Sequence, residues 1–174
     1  MRWRSAALAV AFALAVTAWV GWGNYAKLRP PVAAVVTADA TTTVARVEYR
    51  VGGVQRLARI EFSDHDPLIA PLGAVWVRLD FTMQLQGAGT DPDSLRCTGF
   101  LVSGSYEWSD AYEPSSYGGD LAQRQCHTTG EDRPPQPGVA RRLVMHWLVP
   151  QWAADAPRFY LRFSTPPRAI ELRP

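Results

Sequence analysis

Three histidines, two cysteines and a tract of interleaved aromatic and acidic residues are the parts of this sequence that could do chemistry. Asp64-His65-Asp66 sets a carboxylate on each side of an imidazole. Zinc sites, however, combine several ligands at diagnostic spacing, and consecutive residues rarely converge on one ion. Pro67 marks the segment as a plain turn. His127 adjoins Cys126, and a bridged cysteine excludes a Cys–His nucleophile. His146, between Val144 and Leu148, falls on the less apolar face of a strand and reads as a partly exposed sheet residue. Asp91-Pro92-Asp93 offers few oxygens for a calcium ion, which takes about six or more. No nucleophile elbow, P-loop or dinucleotide fingerprint is present. These residues assign no catalytic group, no metal and no cofactor.

The tract Ser105–Asp120 is the most functional-looking stretch. Tyr106, Trp108, Tyr112 and Tyr117 alternate there with Glu107, Asp110, Glu113 and Asp120. From Ser103 to Asp132 there are six acids and one base, and from Arg133 to the end seven arginines and two acids. Such asymmetry makes complementary surfaces, and rings beside carboxylates are what protein interfaces and sugar sites use. The plainer alternative is that Trp108 and one or two tyrosines pack the tract over the edge of a fold. Overall the chain of 174 residues is near charge balance at +2, so bulk electrostatics do not argue for nucleic acid. Its basic residues are one lysine, Lys27, and seventeen arginines, as a GC-rich genome produces.

These residues need elements to hold them. Arg2 and Arg4 precede an uncharged run from Ala6 to Trp22, and Trp19, Trp22 and Tyr25 gather at its far end. Basic residues before an apolar run are an export signal, and aromatics favour the membrane interface. Residues 1–24 therefore read as an uncleaved signal-anchor held in membrane lipid, with a cleaved signal peptide or a buried helix as alternatives. The expected location is a single-pass cell-membrane protein with its C-terminal part outside the cytoplasm. Residues 25–43, stiffened by Pro30-Pro31, form an extended linker or first strand. In an oxidising compartment Cys97 and Cys126 are expected to bridge, closing a loop of about 30 residues and contributing roughly 3–4 kcal/mol.

Residues 44–174 alternate apolar and polar residues in short runs. Ala74–Gln86 is the cleanest: Val75, Val77, Leu79, Phe81, Met83 and Leu85 face one way and Trp76, Arg78, Asp80, Thr82 and Gln84 the other. It is expected to be a central strand, with Trp76 available to a covering segment or partner. Thr43–Val51 and Val54–Phe62 read as a hairpin turning at Gly52-Gly53. Leu95–Val102, Arg141–Val149, Arg158–Ser164 and Ala169–Leu172 read as further strands, Ser103–Gln125 as a long irregular excursion, and Pro150–Pro157 as a short connection around Trp152. Roughly seven to nine short strands without a soluble helix predict an all-β, antiparallel, immunoglobulin-like sandwich, with a small barrel as second choice.

The order of features resembles a family. A strand pair is followed by Gly73–Phe81 (GAVWVRLDF), a cysteine, Gly104 and Trp108, a second cysteine, and Trp147–Pro150 (WLVP) before an aromatic–aliphatic strand. This is similar to the telokin-like, immunoglobulin-type extracytoplasmic domains of GC-rich Gram-positive bacteria. The resemblance implies a β-sandwich and an envelope location and carries over no catalytic residue. The chain lacks a lipobox cysteine, so anchoring would rest on the helix. The expected function is a non-enzymatic accessory or interaction domain with another envelope or membrane protein as partner. The alternative is an envelope glycan or small-ligand module using residues 105–120.

Overall fold

The structure, a computed structural model, describes residues 14–17, 30–61, 66–87, 97–110, 136–164 and 167–174. In chain order its strands are β1 (Val32–Thr37), β2 (Thr42–Val44), β3 (Val47–Leu57), β4 (Arg59–Ile60), β5 (Leu68–Ile69), β6 (Ala74–Leu85), β7 (Cys97–Ser103), β8 (Tyr106–Ser109), β9 (Ala140–Pro150), β10 (Arg158–Ser164) and β11 (Pro167–Arg173). A 3-10 helix, Gln151–Ala154, joins β9 to β10. Sheet A has the order β1-β11-β10-β7-β8 and sheet B the order β2-β3-β6-β9, with β4 and β5 forming a small ribbon. All pairings are antiparallel except β1 with β11, which is parallel.

Val32–Pro174 is one compact unit and Met1–Pro31 another. In the latter, residues 14–17 are helical. Among the described residues no helix is long and apolar enough to cross a membrane. Most of the 1–24 stretch, including Trp19 and Trp22, lies outside the described residues, as does Tyr25.

The sandwich follows from period-two alternation. Val77, Leu79, Phe81 and Met83 of β6 meet Leu143, Met145, Trp147 and Val149 of β9 and Tyr49 and Val51 of β3 on the inner face of sheet B. Leu101, Phe159, Leu161, Phe163, Ile170 and Leu172 supply the inner face of sheet A. Burying one such side chain contributes about 1.5–3 kcal/mol. β6 is central to its sheet, as its pattern requires, with β3 and β9 on its two sides.

The hairpin is placed differently from the expectation. Gly52-Gly53 does not turn the chain; both lie inside the continuous strand β3. The register on β6 shifts between Val51 and Gly53, a β-bulge that accommodates the extra residue. A Cβ at Gly52 would lie 3.1 Å from the Asp80 carbonyl oxygen. The actual hairpin is β2–β3, and its two turn residues, Ala45 and Arg46, have φ of 49° and 66°. Two-residue turns of this hand normally use Asn or Gly, so nothing local in the sequence announces this one. The left-handed conformation costs a non-glycine residue roughly 1–2 kcal/mol, which the pairing of β2 and β3 must outweigh.

Gly99 in β7 is required for packing rather than for a turn. A Cβ there would come within 2.3 Å of Met145 Sδ and 3.0 Å of Trp147 Cζ2. The Trp147 ring is fixed between the sheets and tilts against Phe159 at 5.4 Å. Gly99→Ala is expected to lower unfolding stability by about 1–3 kcal/mol through overpacking, read as a reduced urea midpoint with an unchanged m-value.

Candidate functional site

The tract that carried the aromatic candidates is partly regular. Ser103-Gly104-Ser105-Tyr106 is a tight turn with Gly104 at φ 60°, glycine at the first central position of a primed hairpin. It returns the chain as β8, the edge strand of sheet A, where an irregular excursion was expected. Alternation along β8 then puts Tyr106 and Trp108 on one face and Glu107 on the other.

Trp108 lies opposite Leu101 and packs against the core. Tyr106 stacks on it with ring centroids 6.1 Å apart. A third ring arrives from the 3-10 helix: Trp152 meets Tyr106 edge-on at 5.3 Å and Trp108 at 5.9 Å. Each such pair contributes about 0.5–1.5 kcal/mol beyond area burial. The three rings close the corner where β8 of sheet A touches β9 of sheet B. Tyr106 nonetheless stays 60% exposed and Trp152 52%. Trp108 is therefore the packed base, and the other two rings are its presented edge. Among the described residues, Ile69 and Leu72 are also exposed, and Gly73, next to Leu72, accepts a hydrogen bond from the Gln151 amide at 3.0 Å.

Charges brace this corner. Arg162 of β10 lies over the Phe100 ring, 4.1 Å from its centroid. Its guanidinium forks onto both Glu107 oxygens, Nη1 to Oε1 at 2.7 Å and Nη2 to Oε2. This ties the edge strand across β7 to β10. Arg56 of β3 donates to Asp155, just past the 3-10 helix, at 3.1 Å. The planar bidentate pairing of Arg162 with Glu107 adds geometric definition as well as energy.

Trp152 was not among the sequence candidates. Its signal is faint: a tryptophan two residues beyond Pro150, in a segment legible only as a connection. Tyr112, Tyr117, Cys126, His65 and His127 lie outside the described residues. Cys97 opens β7, buried, and no free cysteine is found among the described residues. No group of three or more His, Cys, Asp or Glu that could hold a metal occurs among the described residues.

The outer face of sheet B is the second place of interest. Its cross-strand rows are Glu48–Gln84–Ala140, Arg50–Thr82–Arg142, Gln55–Arg78–His146 and Leu57–Trp76–Leu148. Trp76 is only 6% exposed, and its Nε1 has no hydrogen-bond partner, so it offers a partner little surface. His146, expected to be partly exposed, is 7% exposed. Its neighbours Val144 and Trp147 are buried as well, so β9 is enclosed on both faces there.

Asp80 sits between these rows. Arg78 gives it two hydrogen bonds of 3.1 Å, and Arg142 reaches across from β9 with two more, of 3.1 and 2.8 Å. Burial pushes the Asp80 carboxyl up, but the donors and charges of Arg78 and Arg142 outweigh it and hold it below the usual carboxylate range. Among core groups, burial pushes the Tyr49 hydroxyl well above the usual phenol range, against a smaller opposing pull from the charge of Arg168.

No family model matches the chain, and no curated protein matches it. Two solved structures share its fold. An uncharacterised β-sandwich protein from Clostridium difficile is 11% identical over 81% of this chain and 93% of its own, with a TM-score of 0.50. A conserved hypothetical protein from Bacillus anthracis is 12% identical over 72% of this chain and 87% of its own, with a TM-score of 0.54. The likeness establishes an all-β sandwich.

Because the folded Asp80 pKa lies below its unfolded value of about 3.9, its contribution to stability is complete above that value. It is lost as pH falls through the folded pKa. Asp80→Asn is expected to cost about 1–3 kcal/mol at pH 7 and to lose less stability than the parent between neutral pH and the acid range. Urea unfolding at both pH values measures this difference.

Proposed function

We propose that the chain is an extracytoplasmic interaction domain, held at the cell membrane by its N-terminal segment, which docks another envelope protein through the Tyr106–Trp108–Trp152 corner. The corner carries this reading. Two aromatic rings are more than half exposed although a third ring beneath them already closes the core. Aromatic anchors on a rigid, packed base are what protein interfaces concentrate their energy on. Ile69 and Leu72 are further exposed apolar side chains among the described residues. Trp152 meets both other rings edge to face, so the two exposed rings do not form one continuous flat platform.

The anchor is supported by the basic start and the uncharged run before Trp22. An oxidising location agrees with a Cys97–Cys126 bridge, which is supported by the lack of a free cysteine among the described residues. Placement with the immunoglobulin-type, telokin-like domains rests on the order of strands and motifs and on the two packed sheets. The non-enzymatic character is part of the same proposal.

A photoreactive phenylalanine analogue at position 152 of the full chain, in native membranes, tests this reading. A control at Thr98, exposed on the outer face of sheet A, sets the background. The expected result is one discrete protein adduct from position 152, several-fold above that from Thr98, and no alkylation of either cysteine without reductant. Equal labelling from both positions, or adducts with glycan alone, overturns it.

A further inference from the structure

At three places among the described residues an extended segment pairs arginine with an acid two residues away. Arg59 pairs with Glu61, Arg78 with Asp80 and Arg173 with Glu171. Residues i and i+2 of a strand share a face about 6.6 Å apart, so this closure is the expected outcome for long side chains. Glu48 and Arg50 of β3 have the same spacing and face, yet no ion pair joins them. Gln86 instead donates its Nε2 to Glu48 Oε2 at 2.8 Å, holding one oxygen and leaving Oε1 available. Arg50 is exposed and pairs with no carboxylate.

These two open charges line one depression of about 540 Å³ on the outer face of sheet B. Thr41 from the β1–β2 connection, Thr82 and Gln84 from β6, and Ala140 from β9 complete its wall. Thr82 lies opposite Arg50 in the register, and the small Ala38, Gly52 and Ala140 line the rest of the space. Asp80 does not compete for Arg50, because four donors from Arg78 and Arg142 already occupy its carboxylate. Arg142 lies opposite Thr82 in the row that Arg50 begins, which biases the Arg50 side of the depression towards anions.

We propose that this depression binds a zwitterion, an amino acid or short peptide, with its carboxylate on Arg50 and its ammonium on Glu48. The planar guanidinium takes a carboxylate through two parallel hydrogen bonds, with the Thr41 and Thr82 hydroxyls as further donors. The free Glu48 oxygen accepts from the ammonium. A depression of this volume falls within the range of small-ligand sites. This site is separate from the aromatic corner and stands whether or not that corner docks a protein.

Calorimetric titration of the full chain in detergent with L-alanine and L-alanyl-L-alanine tests it, with acetate and methylammonium as single-charge probes. The expected result is measurable binding of at least one zwitterion, at least about tenfold tighter than either single ion. Arg50→Gln and Glu48→Gln are each expected to weaken it about tenfold, while Arg158→Gln, on sheet A, leaves it unchanged. Thermal melts confirm that the variants fold. Acetate binding as tightly as the dipeptide, or no zwitterion binding up to on the order of 10 mM by a folded protein, overturns the proposal. So does binding that survives both substitutions.

Discussion

Everything in the sandwich depends on β6, which turns an apolar row inward and carries a charge among partly exposed residues on its outer face. Its inner face meets the apolar residues of β3, β9 and sheet A, the ordinary requirement of a two-layer fold. Its outer face must then dispose of a charge. Asp80 stands in the middle of the sheet between Gly53 and Val144 and is largely buried, and an isolated carboxylate in such surroundings is costly. Two guanidiniums, one from its own strand and one from β9, convert that cost into a cross-strand tie. Removing one partner from such an arrangement costs more than the arrangement contributes, because it strands the others. The clamp fixes the register of β6 against β9, and a one-residue slip would carry the whole apolar row to the wrong face.

The same logic explains what was legible in the sequence. Alternation is a face-level signal, so β6, β9 and β10 could be read almost residue for residue, as could the sandwich class, while β11 was read only as Ala169–Leu172 and in fact runs from Pro167 to Arg173. Turn chemistry was read less well because glycine has two uses. Gly52-Gly53 looked like a primed turn, yet the pair serves a bulge in a strand that continues for four more residues. The real turn, Ala45-Arg46, is made of residues that dislike its backbone angles, and tertiary pairing overrides that preference. His146 was misjudged for a related reason: alternation says which face a side chain takes, not whether that face is covered.

The aromatic corner was half legible. Tyr106 and Trp108 stood out by type and by acidic neighbours, and their spacing of two already put them on one side of any strand. Trp152 is 44 positions further along than Trp108 in the numbering, and only the meeting of two sheet edges brings it to them. No local pattern encodes that meeting. It follows from the order of strands: β8 and β9 are the neighbouring edges of the two sheets, and the segment after β9 must cross from one to the other. A crossing segment with a tryptophan in it is well placed to seal the gap.

The topology also separates the point where the sandwich begins from the surface it presents. Val32 opens β1 at one edge of sheet A, level with Ala169, Arg162 and Thr98. Tyr106 sits at the opposite edge, level with Ser103. Four strand spacings of about 4.8 Å and five residues at about 3.3 Å set these points roughly 25 Å apart, at diagonal corners of the sheet. Within the sandwich, the first residue of β1 and the aromatic corner therefore lie far apart. The parallel pairing of β1 with β11 produces this separation. An antiparallel first strand would begin at the other end of the sheet, the end at which Tyr106 and Trp152 are presented.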